Sequence, residues 1–297
     1  MIDIHCHVFT QDNVPADFLK FTKWIPPRLL KLFTKLKTGE FANTYYMRTQ
    51  EEILDQLFKI YHNPYDEIAN LLCVILMMDM QRSITGGIKQ DFHDQILELE
   101  KALKTKYVAG NKKIAYKDFA LPFIALDPHN PNMLKYFLSA FTPKNKRDNE
   151  LFNDFGAIFH GVKLYPALGY LPAHPELMKV YEVCQSHQIP ITTHCGGIRT
   201  HPSYRKIEVI STGLDGKEIK TEIDLKNDRA NGNKFAAYFI RPEHWQKVLA
   251  KFPKLKLNIA HLGSDDEWKD YRKGNRTGTV EATLNLIRAH ELSLIHI

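Results

Sequence analysis

Short runs of apolar residues recur along the chain, separated by stretches in which apolar side chains return every three or four positions. The runs cover residues 2–8, 70–79, 120–127, 157–165, 189–194 and 255–261, each about the length of a buried strand. Helical spacing is carried by residues 89–107, 132–141, 175–187 and 242–252. Strand alternating with helix is the pattern of a parallel α/β architecture. Proline or glycine follows the strands at Asp127-Pro128, Tyr165-Pro166, Cys195-Gly196-Gly197 and Leu262-Gly263-Ser264, so the breaks fall at the end where a parallel barrel builds its site. Two long connections, at about residues 10–49 and 199–240, interrupt the alternation, and insertions at that end commonly cover a substrate. Within the second, residues 207–223 alternate around Asp215-Gly216, which predicts a β-hairpin.

A (β/α)8 barrel closes with eight strands, and six are legible. The expectation is one α/β domain over residues 1–291, a distorted TIM barrel with about six of its eight βα units in this chain. The last six residues, Leu292-Ser293-Leu294-Ile295-His296-Ile297, match the translation of CTG TCT CTT ATA CAC ATC, the mosaic-end adaptor of transposase-based sequencing libraries. We read residues 292–297 as translated adaptor rather than as an ordinary apolar strand, and expect the natural reading frame to continue beyond Glu291.

Composition narrows the class. With 44% hydrophobic and 25% charged residues, the chain can bury a core and is neither disordered nor fibrous. Its longest apolar run, residues 71–78, is far short of the ~18 residues that a membrane span needs. The opening Met1-Ile2-Asp3-Ile4-His5 lacks the lysines and apolar run of a secretory signal. Cys6, Cys73, Cys184 and Cys195 show no C-x-x-C spacing, which fits a reducing cytoplasm better than a disulfide framework. The net charge of +6 is modest, and part of it lies in residues 20–37, where basic residues interleave with Trp24, Leu29, Leu30, Leu32, Phe33 and Leu36. That segment reads as an amphipathic cover with its lysines in water, so neither a nucleic acid nor a membrane is expected as partner.

The sharpest local signal is His5-Cys6-His7 at the end of the first strand. Side chains alternate across a strand, so the two imidazoles share one side while Ile4, Cys6 and Val8 take the other. Two neutral imidazoles converging on one point make half a divalent-metal site. His194 and His261 also stand at the ends of apolar strands, next to or near glycine, and three strands ending alike favour a metal site over coincidence. In Gly161-Val162-Lys163-Leu164-Tyr165-Pro166, Val162 and Leu164 would face the helices and Lys163 the interior. A lysine so placed could bind an anionic substrate, pair with a carboxylate, or bridge two metals as a carbamate. Arg199, Arg205 and Arg241 could clamp a substrate carboxylate, although solvated surface arginine is the simpler reading. Lys256 and Asn258 would face a helix layer that ought to be apolar, and Asp265 and Asp266 read as a solvated acidic turn.

Taken in order, Ile2 through His7, Pro122-Phe123 with Asp127-Pro128, Gly161 through Pro166 with Gly169 and Pro172, Thr193-His194-Cys195-Gly196, and Ala260-His261-Leu262-Gly263 resemble the amidohydrolase-related family (amidohydrolase 2). That branch of the amidohydrolase superfamily also includes aminocarboxymuconate-semialdehyde decarboxylase. The resemblance implies a distorted TIM barrel and one divalent metal, usually zinc, with His5, His7 and His194 as ligands and His261 as a ligand or general acid/base. The family's remaining ligand, an aspartate ending strand eight, is not reached by this chain. The reaction expected is attack of a metal-bound water on the carbonyl of a small amide, ester or lactone, with His261 and Lys163 catalytic and Tyr165 and Arg199 binding substrate. Decarboxylation or hydration of a small carboxylic acid at the same site is the alternative, and an inactive fragment is another. A barrel deoxyribonuclease shares H-x-H but would carry an acidic ligand where this chain has Lys163. Substrate identity and homo-oligomerisation stay open.

Overall fold

The computed structural model describes residues 2–10, 12–15, 49–61, 72–82, 87–109, 112–142, 158–196, 206–224, 232–261, 263 and 265–290. The basic segment 20–37, Arg199, Arg205 and residues 292–297 lie outside them. The chain divides into two compact units, Met1–Gln81 with Gly86–Ile124 and Leu138–Phe159, and Arg82–Thr85 with Ala125–Phe137 and His160–Ile297. Among the described residues, three parallel strands in each unit fall on the six apolar runs of the sequence. Among the described residues, no helix is long and apolar enough to cross a membrane.

In the first unit β1 (Ile2–His7), β2 (Leu72–Leu76) and β5 (Ala120–Leu126) lie in the order β1-β2-β5, with both pairs parallel. Cys73 through Leu76 are all buried, as expected of a strand covered on both faces. Among the described residues, two α-helices lie wholly within this unit. Helix α1 (Gln50–Tyr61), absent from the expected helices, buries Ile53, Leu54 and Phe58. Helix α2 (Phe92–Lys104) is shorter at both ends than the spacing suggested. The Asp91 carboxylate caps its start by accepting the Asp94 N–H at 2.8 Å, satisfying one orphan donor of the first turn. Beyond Thr105 the chain turns into an unexpected antiparallel hairpin, β3 (Lys106–Ala109) and β4 (Lys112–Ala115), so Tyr107 is strand rather than helix.

Helix α3 (Met133–Phe141) follows β5. The second unit holds β6 (Gly161–Leu164), β7 (Ile191–His194) and β10 (Leu257–Ala260), parallel and in the order β6-β7-β10. Helix α4 (Pro175–His187) joins β6 to β7 within the bounds that the sequence predicted. His174 caps it, with Nδ1 accepting the Glu176 N–H at 3.3 Å, and Gln188 closes it in the left-handed region at φ 58°. The long second connection contains the predicted hairpin, β8 (Lys206–Thr212) and β9 (Glu218–Asp224). Gly216 at φ 82° supplies the left-handed turn residue that only glycine adopts without cost. The same connection holds helix α5 (Gly232–Phe239), whose Phe235 and Phe239 pack with Val209. Helices α6 (Gln246–Lys251), α7 (Asp265–Arg272) and α8 (Thr279–His290) follow in the same unit.

Two expectations are corrected here. Asp265 and Asp266 open helix α7 rather than forming a turn. Asn258 does not face a helix layer: it is opposite Thr192 in register and its Nδ2 donates to Thr192 Oγ1 at 3.3 Å. Lys163 is opposite Thr192 on the other side, so Lys163, Thr192 and Asn258 form one buried polar row. Lys256 precedes β10 and is exposed, and its carbonyl accepts the Ile191 N–H at 2.8 Å.

Candidate functional site

Alternation along β1 puts His5 and His7 side by side, and their Nε2 atoms stand 3.1 Å apart. Cys6 and Val8 are buried on the other side. The pairing of β1 with β2 shifts register between Asp3 and Cys6, where the Asp3 carboxylate turns back to accept the His5 N–H at 3.0 Å. Beyond that shift His7 is opposite Leu76, and its Nδ1 is 3.0 Å from the Leu76 carbonyl. A carbonyl only accepts, so neutral His7 carries its proton on Nδ1 and its lone pair on Nε2. Two imidazoles bonded to one zinc at about 2.0–2.1 Å would hold their nitrogens roughly 3.3 Å apart, so this pair fits half of a metal site. A backbone carbonyl on the far ring nitrogen is the usual means of orienting a histidine ligand.

The second unit holds a separate group of the expected residues. His194, at the end of β7, is buried and packs against Tyr165, with ring centroids 4.6 Å apart and the planes tilted by 57°. Its Nε2 lies 3.1 Å from the Gly196 carbonyl, which fixes the proton there and the lone pair on Nδ1. His261 meets His194 edge to face, with centroids 4.7 Å apart. That meeting depends on the backbone. Strand β10 ends at Ala260, which is opposite His194, so strict alternation would send His261 to the other face. Instead His261 adopts φ 70°, a left-handed conformation uncommon outside glycine and typical of strained functional positions. Gly196 makes room for the ring, since a Cβ there would lie 3.0–3.1 Å from three carbons of the His261 side chain. Desolvation first, and the charge of Lys163 second, lower the His261 pKa, favouring neutral imidazole.

Lys163 is fully buried, and its Nζ has no hydrogen-bond partner among the described residues. Burial alone lowers its pKa to about 7, so near neutrality the ammonium and the amine coexist. Burial raises the Tyr165 phenol above its ordinary value, so it stays protonated. The Tyr165 backbone is fixed by Tyr170, whose hydroxyl accepts the Tyr165 N–H at 2.6 Å and donates to the Leu126 carbonyl at 3.1 Å. Arg199 lies outside the described residues, whereas Arg241 is exposed with its guanidinium 5.5 Å from the centre of the Tyr238 ring. Among the described residues, no three metal-ligating side chains gather at coordinating distance.

A family model described as amidohydrolase matches residues 2–291. The chain belongs to the amidohydrolase family. No curated protein matches this amidohydrolase. Among solved structures it is similar to an uncharacterized TIM-barrel protein from Bordetella bronchiseptica, at 14% identity and a TM-score of 0.46, over 99% of this chain and 73% of that one. In this amidohydrolase the roles of Thr192 and of the Gly196 carbonyl went unnoticed in the sequence, and that of Asn258 was misassigned. Thr192 stands between Lys163 and Asn258 in the polar row, and the Gly196 carbonyl sets the His194 tautomer. The signal for Thr192 was available, since it shares parity with His194 along one strand.

Proposed function

We propose that this amidohydrolase is a metal-dependent hydrolase acting on the carbonyl of a small amide, ester or lactone. His5, His7 and His194 are its ligands to one divalent cation, with zinc the expected ion, and His261 and Lys163 take part in the chemistry. The observation that carries the proposal is the His5–His7 pair, 3.1 Å apart at Nε2, with the His7 tautomer set by a backbone carbonyl. A divalent cation supplies Lewis acidity toward a carbonyl and lowers the pKa of water bound to it. The chain's own residues supply the rest. His194 offers Nδ1 as donor because Nε2 is committed to Gly196. His261, held neutral, can accept a proton. The Tyr165 hydroxyl, kept protonated, and Arg199 are the proposed substrate-binding groups.

Lys163 favours a second reading. A buried amine with no hydrogen-bond partner among the described residues is suited to a substrate carboxylate, and the amidohydrolase-related branch includes decarboxylases. Decarboxylation or hydration of a small carboxylic acid is therefore the alternative reaction.

The test is elemental analysis of the full chain after equilibration with zinc and removal of excess metal, beside a His5→Ala/His7→Ala variant of unchanged circular dichroism. The expected result is about one equivalent in the wild type and a loss of at least tenfold in affinity in the variant. A wild type that retains no metal, or a variant that binds as tightly, overturns the proposal. Screening the loaded protein for carboxylate-releasing hydrolysis and for carbon dioxide release separates the two reactions.

A further inference from the structure

Among the described residues, the β8–β9 ribbon has one covered edge and one open edge. Gly213 N–H donates to the Lys217 carbonyl at 2.7 Å, and bonded pairs alternate along an antiparallel ladder. Counting in the observed register, Ser211–Ile219, Val209–Thr221 and Ile207–Ile223 are the bonded pairs. Thr212 must then point its N–H away from β9, and it does, donating to the Ala173 carbonyl at 2.7 Å. By the same parity Glu218, Lys220 and Glu222 turn their N–H and C=O groups to the outer side of β9. Among the described residues no third strand joins this ribbon. Residues 218 through 222 are exposed, and Ile219 is an exposed large apolar side chain at 42%. An open edge of this kind is a template for another strand.

The side chains of β9 specify which strand. We propose that β9 pairs antiparallel with β9 of a second copy, about a two-fold axis through Thr221, making a four-stranded sheet between two chains. In that register Lys220 is opposite the partner's Glu222, Ile219 is opposite the partner's Ile223, and Thr221 is opposite itself, all favourable cross-strand pairs. Sliding by two residues in one direction sets Lys220 against Lys220, and in the other Glu222 against Glu222. The pairing also relieves a local conflict. Glu208 and Glu222 are opposite each other in the hairpin, where Lys220 and Lys206 reach them by diagonal contacts. The second copy places a lysine directly against Glu222. The contact is isologous, so it closes at two chains.

Light scattering of the full chain at tens of micromolar tests the proposal, with the mass of two chains as the expected result. Lys220→Glu and Glu222→Lys should each halve that mass, because each sets like charges opposite one another. A one-to-one mixture of the two variants should recover the two-chain mass, since both cross-strand pairs are then of opposite charge. Glu222→Pro removes an outward N–H without touching the bonded pairs inside the hairpin, and should also give single chains. A monomeric wild type overturns the proposal, as does a dimer that persists in all three variants or variants that fail to recover on mixing. These results are independent of metal content and activity.

Discussion

Replacing Lys163 by methionine should make the protein more stable and less able. The lysine is fully buried, and burial lowers its pKa from 10.5 to about 7. Between those two values the unfolded chain holds the proton and the folded chain has released it, so stability rises with pH across the window. At about 1.4 kcal/mol per pH unit the displacement amounts to roughly 4–5 kcal/mol, carried in full below pH 7 and gone above pH 10.5, where both states are neutral. Methionine keeps most of the stem and never carries a charge. We expect Lys163→Met to gain about 4 kcal/mol at pH 7, with the gap to wild type closing as the pH approaches 10.5. Urea unfolding of both proteins between about pH 6 and 10 measures this directly, as the change in midpoint at constant slope. A variant less stable than wild type at neutral pH, or a gap that does not change with pH, would refute the reasoning. Either result would mean that the ammonium is already compensated. Retention of a costly lysine is what a site trading stability for function predicts.

Three further predictions test the groups around it. Tyr170→Phe leaves the buried Tyr165 N–H and the Leu126 carbonyl without the hydroxyl that joins them, and should cost about 2 kcal/mol in urea unfolding. His174 has its pKa lowered to about 4, first by burial and then by the charge of His129, with Glu176 and Asp127 opposing. The unfolded chain therefore binds more protons from pH 6.5 down to 4, and stability falls by about 3 kcal/mol over that interval. His174→Asn keeps a capping side chain and should flatten this dependence. Gly196→Ala sets a methyl against His261. It should shift the ring nitrogen resonances of His261 with little loss of secondary structure, and lower activity on any substrate found by screening on the order of tenfold.

Much of this was legible because parallel strands bury both faces and leave their polar residues conspicuous. Six apolar runs marked six strands, and alternation put His5 and His7 on one side and Lys163 on the face opposite to Val162 and Leu164. Other features depended on facts that no short window contains. Asn258 looked misplaced until the register with β7 put it beside Thr192. The approach of His261 to His194 arises from a single positive φ that alternation through Ala260 argues against. The β3–β4 hairpin was hidden because Tyr107 continues the helical spacing of α2, although Gly110-Asn111 between the strands is a turn signal.

At the candidate site, His7 and His194 owe their fixed tautomers to main-chain oxygens, those of Leu76 and Gly196. A main-chain oxygen is present whatever side chain the codon specifies. Drift at position 76 therefore leaves His7 oriented so long as β1 and β2 keep their register, and the proton on His194 is set by a turn two residues away. The nitrogen donors are thereby insulated from most point mutations, while the two long connections can diverge without disturbing them. Such a separation lets a lineage change what it acts on without rebuilding the groups that act.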